Sequence, residues 1–341
     1  MQTKKRVLLT GIGGSIGVHF YADIMTNTNF EVVGIDSWNH RGYGDRVKVC
    51  FDDHPDWIPR TTIITHDLIA PFSEITKKKI GKIDIIISMA AMSDVFDSIL
   101  HPREFIMNNT ALTVNLLEYA REIKPEWFVN IGTDEVYGPT DGKTFLKEWS
   151  SICPSNSYSA SKANQENACF AYWRSYPECS GVILINTMNN FGEMQSSNKF
   201  PVIVQKKISK GEEVEIHAEP DGEIGSRSFL HSRNFASAVR FIIKNTKPEA
   251  YQRGVVDRPP RYNIAGDKQL TNLELAQLIA KLMGKELEYK IIDSHSCRPG
   301  HDPHYGLDDS KLKALGWKPP VPFEESLKNV IDWQTKNKEW L

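Results

Sequence analysis

No span of about 18 consecutive apolar residues, the length a membrane helix needs, occurs in this 341-residue sequence, so a membrane partner is not expected. An excess of one charge is also missing: 41 Lys and Arg stand against 43 Asp and Glu, a formal net charge of −2. Without a basic excess to neutralise a phosphate backbone, nucleic acid is not an expected partner. Cysteine is scarce. The five residues are scattered and odd in number, which gives no disulfide framework and suits a reducing compartment. The N-terminal MQTKKRVLLTG carries basic residues, but its apolar run is too short for a signal peptide. Internal repeats and low-complexity tracts are absent too. The expectation is a soluble cytoplasmic protein, long enough for one large α/β domain and a smaller one.

What is present begins at Arg6. Residues 6–10 read as a short apolar strand, followed by Gly11-Ile-Gly-Gly14-Ser-Ile-Gly17 and a helical stretch from Val18 to Met25. Glycines at 11, 14 and 17 let the chain turn tightly, let the backbone approach a pyrophosphate, and let the helix pack close to a sheet. The helix N-terminus then offers N–H groups and a positive dipole end to phosphates. A second strand, Phe30 to Ile35, ends in Asp36, where a carboxylate would hold an adenosine ribose. That favours NAD over NADP, although Arg41 and Arg46 follow and keep a 2′-phosphate reading open. Thr61 to Thr65 and Ile83 to Ser88 read as further strands, ending at Asp67-Leu68 and Ala90-Ala91. With a helix over Asn108 to Ile123, the alternation predicts an α/β fold with a Rossmann-type, doubly wound parallel sheet.

Trp127 to Ile131 reads as a buried parallel strand that runs straight into Gly132-Thr133-Asp134-Glu135. Ligands bind at that edge of an open α/β sheet. Adjacent carboxylates on a loop are ordinarily solvated surface, so the context has to decide. That context is Tyr158-Ser-Ala-Ser-Lys162, which opens a helix running to about Tyr176. Positions i and i+4 share a helix face, and an ammonium beside a phenol lowers the phenol's pKa from its usual ~10. Tyr158 is therefore a candidate general base for a sugar or alcohol hydroxyl. Beyond a strand at Val182 to Ile185 the regular alternation is lost. Thr271 and Glu274 form a capping box for a helix ending near Met283, and Lys311 to Trp317 and Phe323 to Trp333 read as packing helices or turns. His295, His301, His304 and Asp302 match no standard zinc spacing, and no metal is expected.

The glycine loop, Tyr158-x-x-x-Lys162 and the strand pattern resemble the extended short-chain dehydrogenase/reductases. Thr133-Asp134-Glu135-Val136-Tyr137-Gly138 resembles the signature of their nucleotide-sugar 4,6-dehydratase branch. Ala90-Ala91, Asn189-Asn190-Phe-Gly192, Lys199-Phe-Pro201, Arg298-Pro-Gly-His301-Asp302 and Leu315-Gly-Trp317 agree with it. The resemblance implies C4 oxidation of a nucleotide-diphospho-hexose with NAD, elimination of water across C5 and C6, and hydride return to C6. Tyr158, Lys162 and Thr133 would serve the oxidation, Glu135 would take the C5 proton, and Asp134 would protonate the leaving 6-hydroxyl. Cofactor contacts are implied at Gly11, Gly14, Ser15, Ile16, Gly17 and Asp36. Others are implied at Asp67, Leu68, Ala90, Ala91, Asn109, Tyr158 and Lys162. Substrate contacts are implied at Ser93, Asn189, Asn190, Lys199 and His301, with Arg227 and Arg298 toward the diphosphate. A homodimer built on the helices near 101–123 and 158–176 is also implied.

The expected domains are an NAD-binding one over 1–182, rejoined by about 228–265, and a smaller C-terminal α/β substrate domain over 183–227 and 266–341. Several positions depart from the branch. Residues 215–229 are longer and more acidic, Asn186 stands where many members carry arginine, and Leu112 replaces a common glycine. Asp94 and Phe96 stand where histidine and aspartate are usual. These changes leave the nucleotide, dTDP or UDP in the first instance, and the hexose open. A 4-epimerase or decarboxylase of the same fold is the alternative chemistry, and a non-catalytic dinucleotide-binding scaffold is the alternative class.

Overall fold

The computed structural model describes residues 4–179, 181–293 and 302–341. Among them, strands β1 (Arg6–Thr10), β2 (Glu31–Asp36), β3 (Thr61–Thr65), β4 (Ile85–Ser88), β5 (Trp127–Ile131) and β6 (Gly181–Thr187) come first along the chain. β7 (Asn189–Phe191), β8 (Val214–Ala218), β9 (Ser226–His231), β10 (Arg261–Ile264), β11 (Gln269–Thr271) and β12 (Tyr289–Asp293) follow. Seven strands form one sheet in the order β10-β6-β5-β4-β1-β2-β3, and every pairing in it is parallel. The chain steps outward from β1 to β2 and β3, then returns to place β4 on the other side of β1. The crevice at the carboxyl ends of β1 and β4 is therefore the topological switch point.

Both faces of this sheet are covered, so its strands alternate between two cores rather than between core and water. Val7, Leu9, Ile85, Ile87, Trp127 and Val129 face one core, with Phe20 and Phe235 from the helices Gly17–Asn27 and Ser232–Asn245. Leu8, Val33, Ile86, Phe128 and Leu184 face the other. There they meet Leu112, Leu116 and Trp173 from the helices Pro102–Ile123 and Ser157–Ser175. Each such side chain stabilises the fold by roughly 1.5–3 kcal/mol. Truncating fully buried Phe128 to alanine would cost about 3–5 kcal/mol.

A third core holds the second lobe together. Phe191, Ile216, Phe229, Leu275, Ile279, Phe323 and Ile331 pack between a three-stranded sheet, β11-β9-β7, a two-stranded sheet, β12-β8, and flanking helices. The helix Asn272–Met283 has the expected capping box from Thr271 and Glu274. Beyond β6, where the sequence shows no regular alternation, the structure has helices Phe200–Lys210 and Ser232–Asn245. Their signals were present: Pro201 in the first turn and left-handed Gly211 after the last for one helix, and Phe235, Val239 and Ile242 at helical spacing for the other. Strand β10, at 261–264, crosses back to pair with β6 in the main sheet. The acidic stretch 215–229 is two strands, β8 and β9, joined by a turn around Gly222.

Candidate active site

The glycine loop is shaped by what surrounds it. A Cβ on Gly17 would lie 2.0 Å from the Gly11 carbonyl oxygen, so only glycine lets the first turn of the helix sit against the end of β1. Gly11 has φ +74°, and a Cβ there would press within 3.2 Å of the Ala90 backbone. Thr10 Oγ1 fixes this spacing by accepting from the Met89 and Ala90 amides at 3.0 and 3.1 Å. Ser15 and Ile16 lead into the helix N-terminus, where the dipole favours phosphate. The Asp36 carboxylate accepts from Gly13 N and Trp38 N, both at 2.9 Å, and Gly42 folds over it. A carboxylate offers about four lone-pair sites, so capacity remains for ribose hydroxyls. These residues fit an adenosine diphosphate with a free 2′-hydroxyl.

The two arginines that left NADP open are both engaged. Buried Arg46 donates to the carbonyls of Gly13, Arg41 and Met194, at 2.7, 2.8 and 2.9 Å. Arg41 pairs with Asp94 at 2.6 Å and with Asp97 at 2.8 Å. Asp67 and Leu68 follow β3 on the same sheet edge. Asp67 caps the Ile69 amide, and the Leu68 carbonyl accepts from Asn115. Asn109 is buried, and its amide clasps both polar atoms of the Met92 backbone and Ser161 Oγ. It holds loop and helix together beside the β4 end. Ala91 and Ser93 lie on that clasped loop, the Ser93 amide donating to His40.

At the reaction end, β5 delivers Thr133, Asp134 and Glu135 into a tight turn over Asp134–Tyr137. Thr133 Oγ1 donates to Asp134 Oδ1 at 3.1 Å and lies near the Tyr158 hydroxyl, where it acts to lower the phenol against burial. Asp134 Oδ2 is buried with no partner among the described residues. Glu135 Oε2 receives only long contacts, 3.5 Å each from Asn156 and Tyr305. Burial pushes both carboxyls upward, Asp134 to about 6 and Glu135 to about 7, the Asp134 charge adding to the rise at Glu135 and nearby Arg227 opposing both. Such a pair titrates as one coupled system, and environment rather than sequence position decides which member carries a proton.

One expectation needs correcting here. A lowered tyrosine was expected from the Tyr158–Lys162 spacing. Instead burial, and then the charges of Glu135 and Asp134, push the phenol above its ordinary range. Lys162 donates to the Ile131 carbonyl at 2.7 Å and to Gln165 at 2.5 Å, and burial lowers it to about 8. Helical spacing put the two residues on one face but said nothing of where the ammonium is anchored.

The family model for GDP-mannose 4,6 dehydratase matches residues 8–330. The chain belongs to this dehydratase family. Among relatives, it is 31% identical to a trifunctional UDP-glucose 4,6-dehydratase/UDP-4-keto-6-deoxy-D-glucose 3,5-epimerase/UDP-4-keto-L-rhamnose-reductase of Arabidopsis thaliana, over 98% of this chain. It spans only 48%, about half, of that relative's length. It is 28% identical to dTDP-glucose 4,6-dehydratase 1 of Escherichia coli, covering 98% of this chain and 94% of that one. The fold superimposes with a TM-score of 0.84 on a double mutant of the dTDP-glucose 4,6-dehydratase DesIV from Streptomyces venezuelae, solved with NAD bound, at 25% identity and covering 98% of each chain.

In this dehydratase-family chain the expected substrate residues divide. Asn190 Nδ2 is tied to the Met188 carbonyl and Thr187, while its buried Oδ1 has no partner among the described residues; Asn189 beside it is exposed. Lys199 reaches Asp94 at 3.8 Å and feels Glu135, so it lies between the cofactor loop and the reaction centre. Arg227, expected toward the diphosphate, sits beside the reaction centre. Its guanidinium donates to the carbonyls of Ser226, Asp302 and Pro303 and lies 4.6 Å over the Tyr305 ring, against the carboxyl pair. Arg298 and His301, with His295, lie outside the described residues. Tyr305, Asn156, Glu166 and Arg261 were missed. Each acts across a long sequence separation, and no local spacing marks them. Among the described residues no His, Cys, Asp and Glu side chains gather as a metal-ligand group, and no helix is long and apolar enough to cross a membrane.

Proposed function

We propose that this protein is an NAD-dependent nucleotide-sugar 4,6-dehydratase acting on a dTDP- or UDP-hexose. The observation that carries the reading is the Asp134–Glu135 pair just past the end of β5, Asp134 buried and Glu135 half-buried, both held above the ordinary carboxyl range beside Tyr158. A simple oxidation of an alcohol needs one base. Elimination of water next to the new ketone needs an acid and a base together, and two carboxyls of raised pKa provide both near neutral pH.

NAD, when bound, supplies the hydride acceptor for C4 and the hydride donor for C6. The glycine loop, Asp36 and the Ala90–Ala91 loop would hold it. Tyr158 takes the proton of the sugar 4-hydroxyl. The carboxylates that oppose the phenolate are themselves held partly protonated, and each proton they carry removes a charge acting against Tyr158. Glu135 removes the C5 proton, which the new 4-ketone acidifies. Asp134, whose Oδ2 has no partner among the described residues, protonates the departing 6-hydroxyl. Thr133, which donates to Asp134 and lies near Tyr158, would return the 4-hydroxyl proton to the acid. Glu135 gives its proton back to C5 as hydride reaches C6, so one water is lost and the protein ends as it began.

Asn190, Lys199, Ser93 and the segment bearing Arg298 and His301 are proposed to seat the sugar and diphosphate. A homodimer through the helices Pro102–Ile123 and Ser157–Ser175 is proposed as well; these pack side by side and leave Met107 exposed. Light scattering at micromolar concentration should give twice the chain mass, and a monomer would refute the dimer. Mass spectrometry of products from a panel of nucleotide hexoses tests the reaction itself. Loss of one water without net consumption of NAD is expected, whereas an isomer that keeps its C6 oxygen would replace the reading with C4 epimerisation.

A further inference from the structure

Behind the catalytic strand end lies a buried ion pair that the proposed proton transfers do not use. Arg261, from β10, donates from Nη2 to Glu166 Oε2 at 2.5 Å, and the two side chains are 3% and 2% exposed. The guanidinium lies over two rings, 5.0 Å from the centre of Tyr137 and 5.2 Å from that of Trp149. Tyr137 closes the turn that begins with Asp134. The other Glu166 oxygen accepts from Asn186 Nδ2 at 2.7 Å, and the same amide donates to the Thr133 carbonyl at 2.8 Å. Gly132 leaves room for this carboxylate, since a Cβ there would stand 2.7 Å from Glu166 Oε1. Glu166 itself sits one turn beyond Lys162 on the helix Ser157–Ser175. Replacing a buried ion pair by apolar groups is often neutral or stabilising, so fold stability alone is a weak reason for this one.

We infer that Arg261 is a positioning residue: with Glu166 and Asn186 it braces the Thr133–Tyr137 turn against the helix that carries Tyr158 and Lys162. The inference rests on the dehydratase reading of those residues. Three elements meet at the brace. β10 supplies the guanidinium, β6 supplies the amide that holds the Thr133 carbonyl, and the helix supplies the carboxylate. A second consequence is electrostatic. The titratable groups facing Lys162 are Glu166 and Cys169 of its own helix, while β5 presents only the Ile131 carbonyl. Glu166 faces Lys162, Arg261 and Asn186, and the Arg261 charge is the largest influence favouring its anion against burial. Arg261 therefore keeps an anion beside Lys162, and that anion keeps the ammonium charged.

The test uses the full chain with Arg261→Met, Glu166→Gln, the double variant and Arg261→Lys, read by kcat, KM, pH profile and Tm. Arg261→Met should lower kcat about 10–100-fold, the size expected of a small misplacement, with KM within about threefold. Its alkaline limb should move down by about one pH unit as Lys162 loses its anionic neighbour, and Arg261→Lys should restore most of both. The double variant removes both buried charges and should recover Tm while keeping the displaced limb. Recovery of both Tm and the native pH profile in the double variant would reduce the pair to a structural role and overturn the inference, as would an unchanged kcat in Arg261→Met. If the native protein proves not to be a dehydratase, NMR titration of isotope-labelled Lys162 in the same variants still decides the electrostatic half. A Lys162 titration indifferent to Arg261 and Glu166 would refute it.

Discussion

The two ends of the crevice are built from different materials. At the cofactor end the groups are backbone amides, small residues and one carboxylate, contributed by segments close to the ends of β1, β2 and β4. Their ionisable neighbours Arg41 and Arg46 are already committed to protein partners. At the reaction end five side chains from the turn after β5 and from a helix gather, with Thr133, Asp134 and Lys162 buried and Glu135 and Tyr158 half-buried, giving raised carboxyls, a raised phenol and a lowered lysine. The first end binds by shape and by donors that need no tuning. The second works by making ionisation costly, so that proton transfers replace fixed charges. Substitutions at one end should change affinity or folding; at the other they should change rate and its pH dependence.

The largest expected effect is at Tyr158. Tyr158→Phe should lower turnover by about 10³-fold or more while NAD affinity measured by calorimetry stays near native; surviving turnover would break the assignment of the base. Asp134→Asn comes next, with a loss of about 10²–10³-fold in water elimination. Deuterium exchange at C5 of the substrate should persist in this variant, because Glu135 is intact. Loss of exchange as well would mean that the two carboxyls do not divide the work as proposed.

At the opposite end Gly17→Ala should destabilise the fold by about 1–3 kcal/mol through overpacking against the Gly11 carbonyl, seen as a lower Tm. An unchanged Tm would mean that the glycine loop is not as tightly packed as the 2.0 Å approach requires. Turnover should peak between about pH 6 and 7, where one carboxyl of the pair is ionised as base and the other still protonated as acid, and fall on the alkaline side as the second carboxyl ionises and then as Lys162 deprotonates above about 8. On the acid limb the slope should be about tenfold per pH unit, and a flat profile across that range would contradict the tuned pair. The same groups act on stability with the opposite sense. Their folded pKa values are raised, so their contribution is fully present below the ordinary carboxyl range and is lost as pH rises through about 6 to 7. The smallest effect is Asp36→Ala, expected to weaken NAD binding about tenfold, the size of a lost hydrogen bond to a charged acceptor, with kcat at saturating cofactor unchanged. An equal affinity would remove Asp36 from the site.

Much of the cofactor end was legible because its determinants are local. A strand, three glycines at fixed offsets and an acidic residue at the next strand end follow one another within the first 36 residues, and backbone geometry demands them there. The β5 turn and the Tyr158–Lys162 spacing were equally local, and the proposed reaction rests on them. Arg227 and Asn109 show the limit. Their types suited a ligand contact, and the structure adds protein partners for both, the carbonyls of 302–303 and the Met92 loop. No spacing along the chain announces such partners.

What the sequence by itself determined is the doubly wound sheet, the glycine loop and the residue types at the carboxyl end of β5, because strand periodicity and turn chemistry act over a few neighbours. Only the tertiary structure decided the charge states. Burial raises Asp134, Glu135 and Tyr158 together, and the anchoring of Lys162 and the reach of Arg261 from β10 to Glu166 depend on strands that meet only in the folded sheet. Desolvation is a property of what surrounds a group, and those surroundings come from the whole chain.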